Sequence, residues 1–186
     1  MHKEFPKKII LKDGSPCEFR NEFSENIDEY IDFFKRVSPE DLWAMNNDYT
    51  NRKKVELFIN KLRSDETVQI VAYQSESMIG IGVINFTRFG SKKNIGEIEM
   101  ILDRSYKQKR LGTWLMLELS ELAIKEKIEL LKIELMAGKD DPVIIALKRT
   151  NFIPQAILKN YLKDKKGNYT DMVIMIREIN EERSDY

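Results

Sequence analysis

Two kinds of chemistry-bearing side chain lie close together in the stretch from Gly96 to Met116. The first is a pair of carboxylates. Read as a strand, Gly96–Leu102 places Glu97, Glu99 and Ile101 on one face and Ile98, Met100 and Leu102 on the other. A carboxylate on a strand edge or face is a ready acceptor for a proton from an attacking group. The second is a set of cations, Arg104, Lys107, Lys109 and Arg110, in the turn that follows. That turn opens into a segment whose leucines, Leu111, Leu115, Leu119 and Leu122, recur at helical spacing. The first N–H groups of a helix lack intrahelical partners and carry the positive end of its dipole. Cations beside such a start make a seat for phosphate. The plainer alternatives are a solvated basic loop and two ordinary surface glutamates.

Other chemistries find little support. The single cysteine, Cys17, excludes an intrachain disulfide, and the single histidine, His2, sits at the chain's start. Together they argue against a His-based triad or a His-rich metal site, and no metal is expected. A reducing, cytoplasmic setting is the natural reading. Charges balance at 31 basic and 31 acidic residues, so no global field draws the protein to nucleic acid or membrane. The aromatics interleaved with the basic turn, Tyr106 and Trp114, are too few for a nucleic-acid platform. No apolar run approaches the ~18 residues of a membrane span, and no signal-type segment is read at the start. A chain of 186 residues with 42% hydrophobic and 33% charged residues suits one globular domain, with residues 180–186 read as a polar, fraying tail.

The elements that must position these groups follow from pattern. Lys7–Leu11 and Cys17–Arg20 read as a hairpin about Lys12-Asp13-Gly14-Ser15. Ser24 is the expected cap of a helix carrying Ile27, Tyr30, Ile31 and Phe34, and Ser38-Pro39 starts another. After a polar break at Asn46-Asn47-Asp48, Val55, Phe58, Ile59 and Leu62 form a further helical stripe. Val68–Tyr73 and Met78–Phe86 read as strands, the second containing Gly80 and Gly82, which signal a bulge or a close backbone approach. After the leucine-rich helix come a strand at Leu130–Met136, a helix from Pro142 to about Thr150, and a closing hairpin, Phe152–Leu162 with Thr170–Ile179. The order is summarised as β-β-α-α-β-β-β-α-β-α-β-β.

The segment Lys107-Gln108-Lys109-Arg110-Leu111-Gly112, at a strand–turn–helix junction in this element order, resembles the acyl-CoA-binding core of the GNAT superfamily of N-acyltransferases. The family signature is Gln/Arg-x-x-Gly-x-Gly/Ala. Lys107 stands at the Gln/Arg position, Arg110 at the first Gly and Gly112 at the last position. Further on, Asp140 stands where the family carries Asn, Asn151-Phe152 where it carries Gly-Phe, and Leu147 where many members carry Tyr. The resemblance is good from Val68 to Arg177. It implies an α+β fold, layered α/β/α, with a mixed, mostly antiparallel central sheet and helices on both faces.

The resemblance also implies an acetyltransferase that moves an acetyl group from acetyl-CoA, the acyl-donor cosubstrate, to a primary amine. Pyrophosphate would lie on Lys107, Gln108, Lys109, Arg110, Leu111, Gly112 and Thr113, with Asp140 nearby. Pantetheine would pair with the main chain of Ile101 and Leu102, beside a splay in the sheet, and their N–H groups would polarise the thioester. Glu97, at a position where the family often has Glu, or Glu99 would be the general base. With Leu147 at the usual Tyr position, Tyr161 is the candidate acid, unless a thiol of pKa about 8.5 leaves unaided. Trp43, Met45, Tyr49 and Phe58 are candidates for the acceptor side, with plain core or loop packing the favoured reading for any one of them. Partners are then acetyl-CoA and an amine, whether small molecule, peptide or protein lysine. The acidic run Glu22, Glu25, Asp28, Glu29 and Asp32 is a solvated helix face or a lure for a cationic acceptor. Homodimerisation, common in the family, stays open. The competing reading is a catalytically silent acyl-CoA-binding sensor or interaction module.

Overall fold

The computed structural model describes residues 5–22, 24–45 and 48–179. The expected fraying tail, His2 and the Asn46-Asn47 part of the polar break lie outside the described residues. Eight strands and five helices follow in the order β1 (Lys7–Ile10), β2 (Pro16–Arg20), α1 (Ile27–Arg36), α2 (Pro39–Ala44), α3 (Arg52–Leu62), β3 (Thr67–Gln74), β4 (Ser77–Asn85), β5 (Ile95–Leu102), α4 (Leu111–Lys125), β6 (Leu130–Met136), α5 (Asp141–Lys148), β7 (Ile153–Lys163) and β8 (Tyr169–Glu178). A 3-10 turn, Arg104–Tyr106, lies between β5 and α4. The strands form a mixed, mostly antiparallel sheet in the order β1-β2-β3-β4-β5-β6-β8-β7. Three helices separate β2 from β3, where the summarised order had two; the short α2, capped by Ser38 with Pro39 at its first position, is a helix of its own.

The chain divides into two units, one comprising Met1–Ile84 with Glu99–Leu119 and the other Asn85–Ile98 with Ser120–Tyr186. In the first unit β1 pairs antiparallel with β2, and β2 with β3. The β3–β4 connection is the two residues Ser75 and Glu76, both at positive φ (48° and 63°), the turn that matches strand twist. On one face of these strands, α1 and α3 deliver Tyr30, Phe33, Phe34, Val55, Phe58, Ile59 and Leu62 onto Val71, Tyr73, Ile81 and Ile101. Each fully buried aromatic here contributes on the order of 1.5–3 kcal/mol.

The α1 cap is not Ser24. Asn26, an equally good capping residue one position before the helix, accepts from the Asp28 N–H, and Ser24 Oγ accepts from the Asn26 N–H (3.1 Å). On the other face, α4 lies against Gly80 and Gly82. A methyl built on Gly80 would meet Leu102 Cδ2 at 2.9 Å and Leu111 Cδ2 at 3.2 Å, and one on Gly82 would meet Leu119 Cδ1 at 2.8 Å. The two strand glycines thus mark a close approach, here of leucine side chains.

In the second unit β5 and β6 run parallel, pairing Ile95 with Leu130, Gly96 with Leu131 and Glu97 with Lys132. β6 pairs antiparallel with β8 along its whole length, from Leu130–Glu178 to Met136–Met172. The β7–β8 ladder is irregular between Pro154 and Ala156 and between Leu158 and Leu162. α5 is followed by Asn151 in the left-handed conformation (φ 65°), which asparagine adopts more readily than other non-glycine residues. Among the described residues no helix is long and apolar enough to cross a membrane.

Candidate active site

Strand alternation positions the two carboxylates. Gly96 and Ile98 are buried, whereas Glu97 and Glu99 are exposed. Glu99 lies 3.5 Å from Lys61 Nζ of α3, and Ile101, two residues on, enters the α1–α3 core, so both point to that face. Leu102 points the other way, onto Gly80 and Gly112. Glu97 faces its register partner Lys132 at 2.6 Å, and Lys132 also holds Glu134 at 3.0 Å. Burial alone would disfavour the Lys132 ammonium, but its hydrogen bonds to Glu97 and Glu134 outweigh this and raise its pKa above the ordinary lysine value. The β5–β6 ladder stops at Glu97 and Lys132, although β5 runs on to Leu102.

Beyond β5, Asp103 anchors the turn. It is 3% exposed. Its carboxylate accepts from the Ser105 N–H (2.8 Å) and from Arg36 Nε (2.8 Å), while its own N–H donates to the Ile79 carbonyl (3.0 Å). Arg36 further donates to the carbonyls of Met78 (2.6 Å) and Asp32 (2.9 Å). The last turn of α1, the start of β4 and the end of β5 therefore meet at one ion pair. Sequence reading assigned neither residue a role. The available signal was local: an Asp two residues before a Ser, an arrangement that favours a side-chain-closed turn.

The turn places its cations in two ways. Lys107 is bound to Asp41 of α2 and stands 3.4 Å from Ser38 Oγ. Lys109 pairs with Asp13 of the β1–β2 hairpin (2.9 Å) and lies over the Tyr106 ring, while its carbonyl accepts from the Lys12 N–H. The Asp13 hydrogen bond raises the Lys109 pKa, and the Ser15 hydroxyl, ahead of Lys109, holds Asp13 well below the usual carboxylate range. Arg104 and Arg110, by contrast, are exposed and have no acidic partner among the described residues.

Gln108 and Arg110 both adopt positive φ (62° and 66°), the conformation in which successive N–H groups converge on an anion. Arg110 supplies the carbonyl for the first bond of α4, to the Trp114 N–H (3.1 Å). The N–H groups of Leu111, Gly112 and Thr113 belong to the helix's first turn, which has no intrahelical acceptors. Half-buried Gly112 has only Leu102 near the position of a Cβ, at 3.6 Å.

The remaining candidates lie elsewhere in the sequence. Asp140 precedes α5 but makes no side-chain cap; it accepts from the Met136 N–H (2.8 Å) and pairs with Lys139 (2.7 Å), tying the loop back to β6. Leu147 is buried. Tyr161 is 63% exposed on the edge strand β7, just after Asn160 at positive φ, and no hydrogen bond engages its hydroxyl among the described residues. Of the acceptor-side candidates, Tyr49 and Phe58 are core residues: Tyr49 stacks on Phe34 with centroids 4.4 Å apart, and Phe58 packs edge-on against both. Met45 packs against the same cluster, and Trp43 is exposed. In the second unit a cavity of about 280 Å³ adjoins Glu97 and Lys132, walled by Phe86 and Ile95 with Asn85, Thr87 and Lys92. Among the described residues no group of three or more His, Cys, Asp or Glu is placed to hold a metal.

The sequence model of the acetyltransferase (GNAT) family matches residues 27–150. No sequence among the curated proteins matches the chain. Similar solved structures include a GNAT-family acetyltransferase from Streptococcus pneumoniae, 20% identical, with a TM-score of 0.75 over 88% of this chain and 99% of that one. The ribosomal-protein-S18-alanine N-acetyltransferase of Escherichia coli is 15% identical, with a TM-score of 0.70 over 91% of this chain and 98% of that one. The GNAT domain of S. lividans PAT is 13% identical, with a TM-score of 0.75 over 96% and 99% respectively. At these identities the likeness is one of fold. The matched span includes β5, the turn and all of α4, and with it the chain belongs to the GNAT acetyltransferase family.

Proposed function

We propose that this protein transfers an acetyl group from acetyl-CoA to a primary amine, as a single acyltransferase domain. One observation carries the reading. The β5–β6 ladder ends at Glu97, while β5 continues to Leu102 and then into a turn with two left-handed residues at the head of a 15-residue helix. An unladdered strand suits an extended pantetheine arm, and a turn of converging N–H groups suits a pyrophosphate. Arg104 and Arg110, free of acidic partners among the described residues, are the cations we assign to the phosphates. Lys107 and Lys109, tied to Asp41 and Asp13, set the shape of the turn.

In this reading the main chain of Ile101 and Leu102 pairs with the pantetheine, and the N–H on the edge left open by β6, that of Leu102, polarises the thioester carbonyl. The amine nitrogen attacks that carbon, the C–S bond breaks, and CoA leaves as its thiolate. The proton lost by nitrogen passes to a glutamate. Strand geometry ranks the two candidates. Glu99 lies two residues, about 7 Å, from Ile101, and Glu97 four residues, about 13 Å. Glu99 reaches the reacting nitrogen directly or through one water, and Glu97 receives the incoming ammonium one repeat earlier. Tyr161 is the candidate for protonating the thiolate. A reducing, cytoplasmic setting, where Cys17 remains a thiol, suits this chemistry.

Calorimetric titration with acetyl-CoA, followed by transfer assays, tests the reading. Micromolar binding with turnover on some amine is expected. Glu99→Gln should lower turnover about 10²–10⁴-fold with binding of acetyl-CoA retained. Tyr161→Phe at an unchanged rate would assign the thiolate's proton to solvent. Absence of binding at millimolar acetyl-CoA would refute the transferase assignment.

A further inference from the structure

The proposed base faces an amine of the chain's own. Lys61 Nζ of α3 lies 3.5 Å from Glu99 Oε1, and both side chains are about half exposed. That spacing is just beyond a direct hydrogen bond and within reach of proton transfer, direct or through one water. Both residues belong to the first unit, and so does Ile101, two strand residues beyond Glu99. The core holds the three in order. Phe58 and Leu62, on either side of Lys61 along α3, are buried in the same cluster as Ile101. The backbone at Lys61 is thus fixed over the face that carries Glu99, while its flexible four-carbon stem lets the ammonium reach across that face. Other lysines pair with carboxylates that the reaction does not use: Lys7 with Glu118, Lys35 with Asp32, Lys139 with Asp140 and Lys159 with Asp171. Lys61 stands at the carboxylate assigned to the proton.

We infer that Lys61 is itself an acceptor: the protein acetylates this side chain, within one chain, from acetyl-CoA. The inference rests on the transferase reading above and adds a modification site to it. The Lys61 ammonium gives one proton to the Glu99 carboxylate, which passes it to solvent. The neutral nitrogen bonds to the acetyl carbon as the C–S bond breaks. A second proton then leaves the nitrogen, and the departing thiolate takes up one proton to become the CoA thiol. The products are Lys61 acetylated on Nζ, CoA and one released proton. Acetylation turns the ammonium into a neutral amide that no longer forms the ion pair with Glu99, so each chain is modified once at this position. A tethered amine needs no separate encounter, so the rate is first order in the acetyl-CoA complex and independent of protein concentration.

The test incubates the full chain with acetyl-CoA and follows each lysine by peptide mass mapping, beside the same chain unfolded in urea. Calorimetric titration with acetyl-CoA accompanies every variant, so that a lost binding site and a lost reaction read differently. We expect Lys61 of the folded chain to gain its acetyl group at least about tenfold faster than any other lysine, at a rate unchanged when the protein is diluted. In Glu99→Gln, with acetyl-CoA binding retained, the rate at Lys61 should fall to that seen in urea. In Lys61→Arg, which keeps the charge but is no acceptor, the fast acetyl group should vanish from the whole-chain mass. Acetylation of Lys61 no faster than of other lysines, a rate constant that rises with protein concentration, or a fast rate that survives Glu99→Gln overturns the inference. Transfer to an added amine with Lys61 unmodified overturns it too, while leaving the transferase reading intact. Failure to bind acetyl-CoA removes both.

Discussion

The Arg36–Asp103 ion pair should be worth more than its partly exposed arginine suggests. The Asp103 side chain is 5% exposed and that of Arg36 39%. In Arg36→Met the Asp103 carboxylate keeps the Ser105 N–H but loses the guanidinium, and the Met78 carbonyl loses its guanidinium donor. A hydrogen bond to a charged group contributes about 1.5–3 kcal/mol, and the wet side of Arg36 lets solvent recover part of that, leaving an expected loss of about 2 kcal/mol. For a chain of this size such a loss lowers Tm by about 4–8 °C. Asp103→Asn keeps the acceptor for Ser105 and removes the charge, so its loss should be similar. In the double variant the losses should fall short of their sum by about 1–2 kcal/mol, the signature of groups in contact.

Urea unfolding followed by circular dichroism measures all three variants. Acetyl-CoA titration at a temperature where each remains folded measures the second consequence. Because Asp103 fixes the first residue of the turn, the variants should bind acetyl-CoA more weakly while still folded. Strict additivity, or single losses below about 0.5 kcal/mol, would refute the clamp and return the pair to the surface salt bridges that contribute little.

Three further outcomes are expected. Arg110→Gly removes a left-handed strain of about 1–2 kcal/mol but adds about 0.4–1 kcal/mol of unfolded-chain entropy, so Tm should hold or rise slightly while calorimetry shows weaker acetyl-CoA binding. Gly82→Ala forces a methyl to 2.8 Å from Leu119 Cδ1 and should destabilise by about 1–3 kcal/mol in urea, with the larger share expected because Leu119 is fully buried. Burial pushes the Cys17 thiol up to about 11, so an aromatic disulfide reagent at pH 8 should label it only through unfolding, at a rate that rises with urea. The same shift makes its linkage contribution full below the unfolded thiol's pKa and lost as pH rises through about 11.

The β5–turn–α4 stretch was readable because the apolar period changes from two to about three and a half within one segment, and no distant residue is needed to see it. Gly80 and Gly82 were readable as a close approach, though not what approaches. The conformation of the turn was hidden, because Gln108 and Arg110 hold left-handed positions without a glycine to announce them. The pairing of Lys107 with Asp41 and Lys109 with Asp13 was hidden for another reason. Four cations in sequence look alike, and only the fold decides which of them meet a carboxylate. Tyr49 and Phe58 could be read either as core or as acceptor-side residues, and their packing against Phe34 makes them core. A stacked Tyr49–Phe34 pair is a consequence of chain return that local spacing does not contain.

The glycine notches of β4 also act as an index. Gly80 and Gly82 lie two strand residues apart, about 6.6 Å, and the leucines that meet them step by four helical residues, about 6 Å. Leu111 and Leu115 seat on Gly80, and Leu115 and Leu119 on Gly82. The two spacings are nearly commensurate, so α4 has discrete resting places along the strand, and a slip to the next one would carry the helix's first N–H groups about a full turn from the carboxylates of β5. The position of the proposed phosphate seat relative to the proposed proton acceptor, Glu99, would thereby be set by two residues that touch neither.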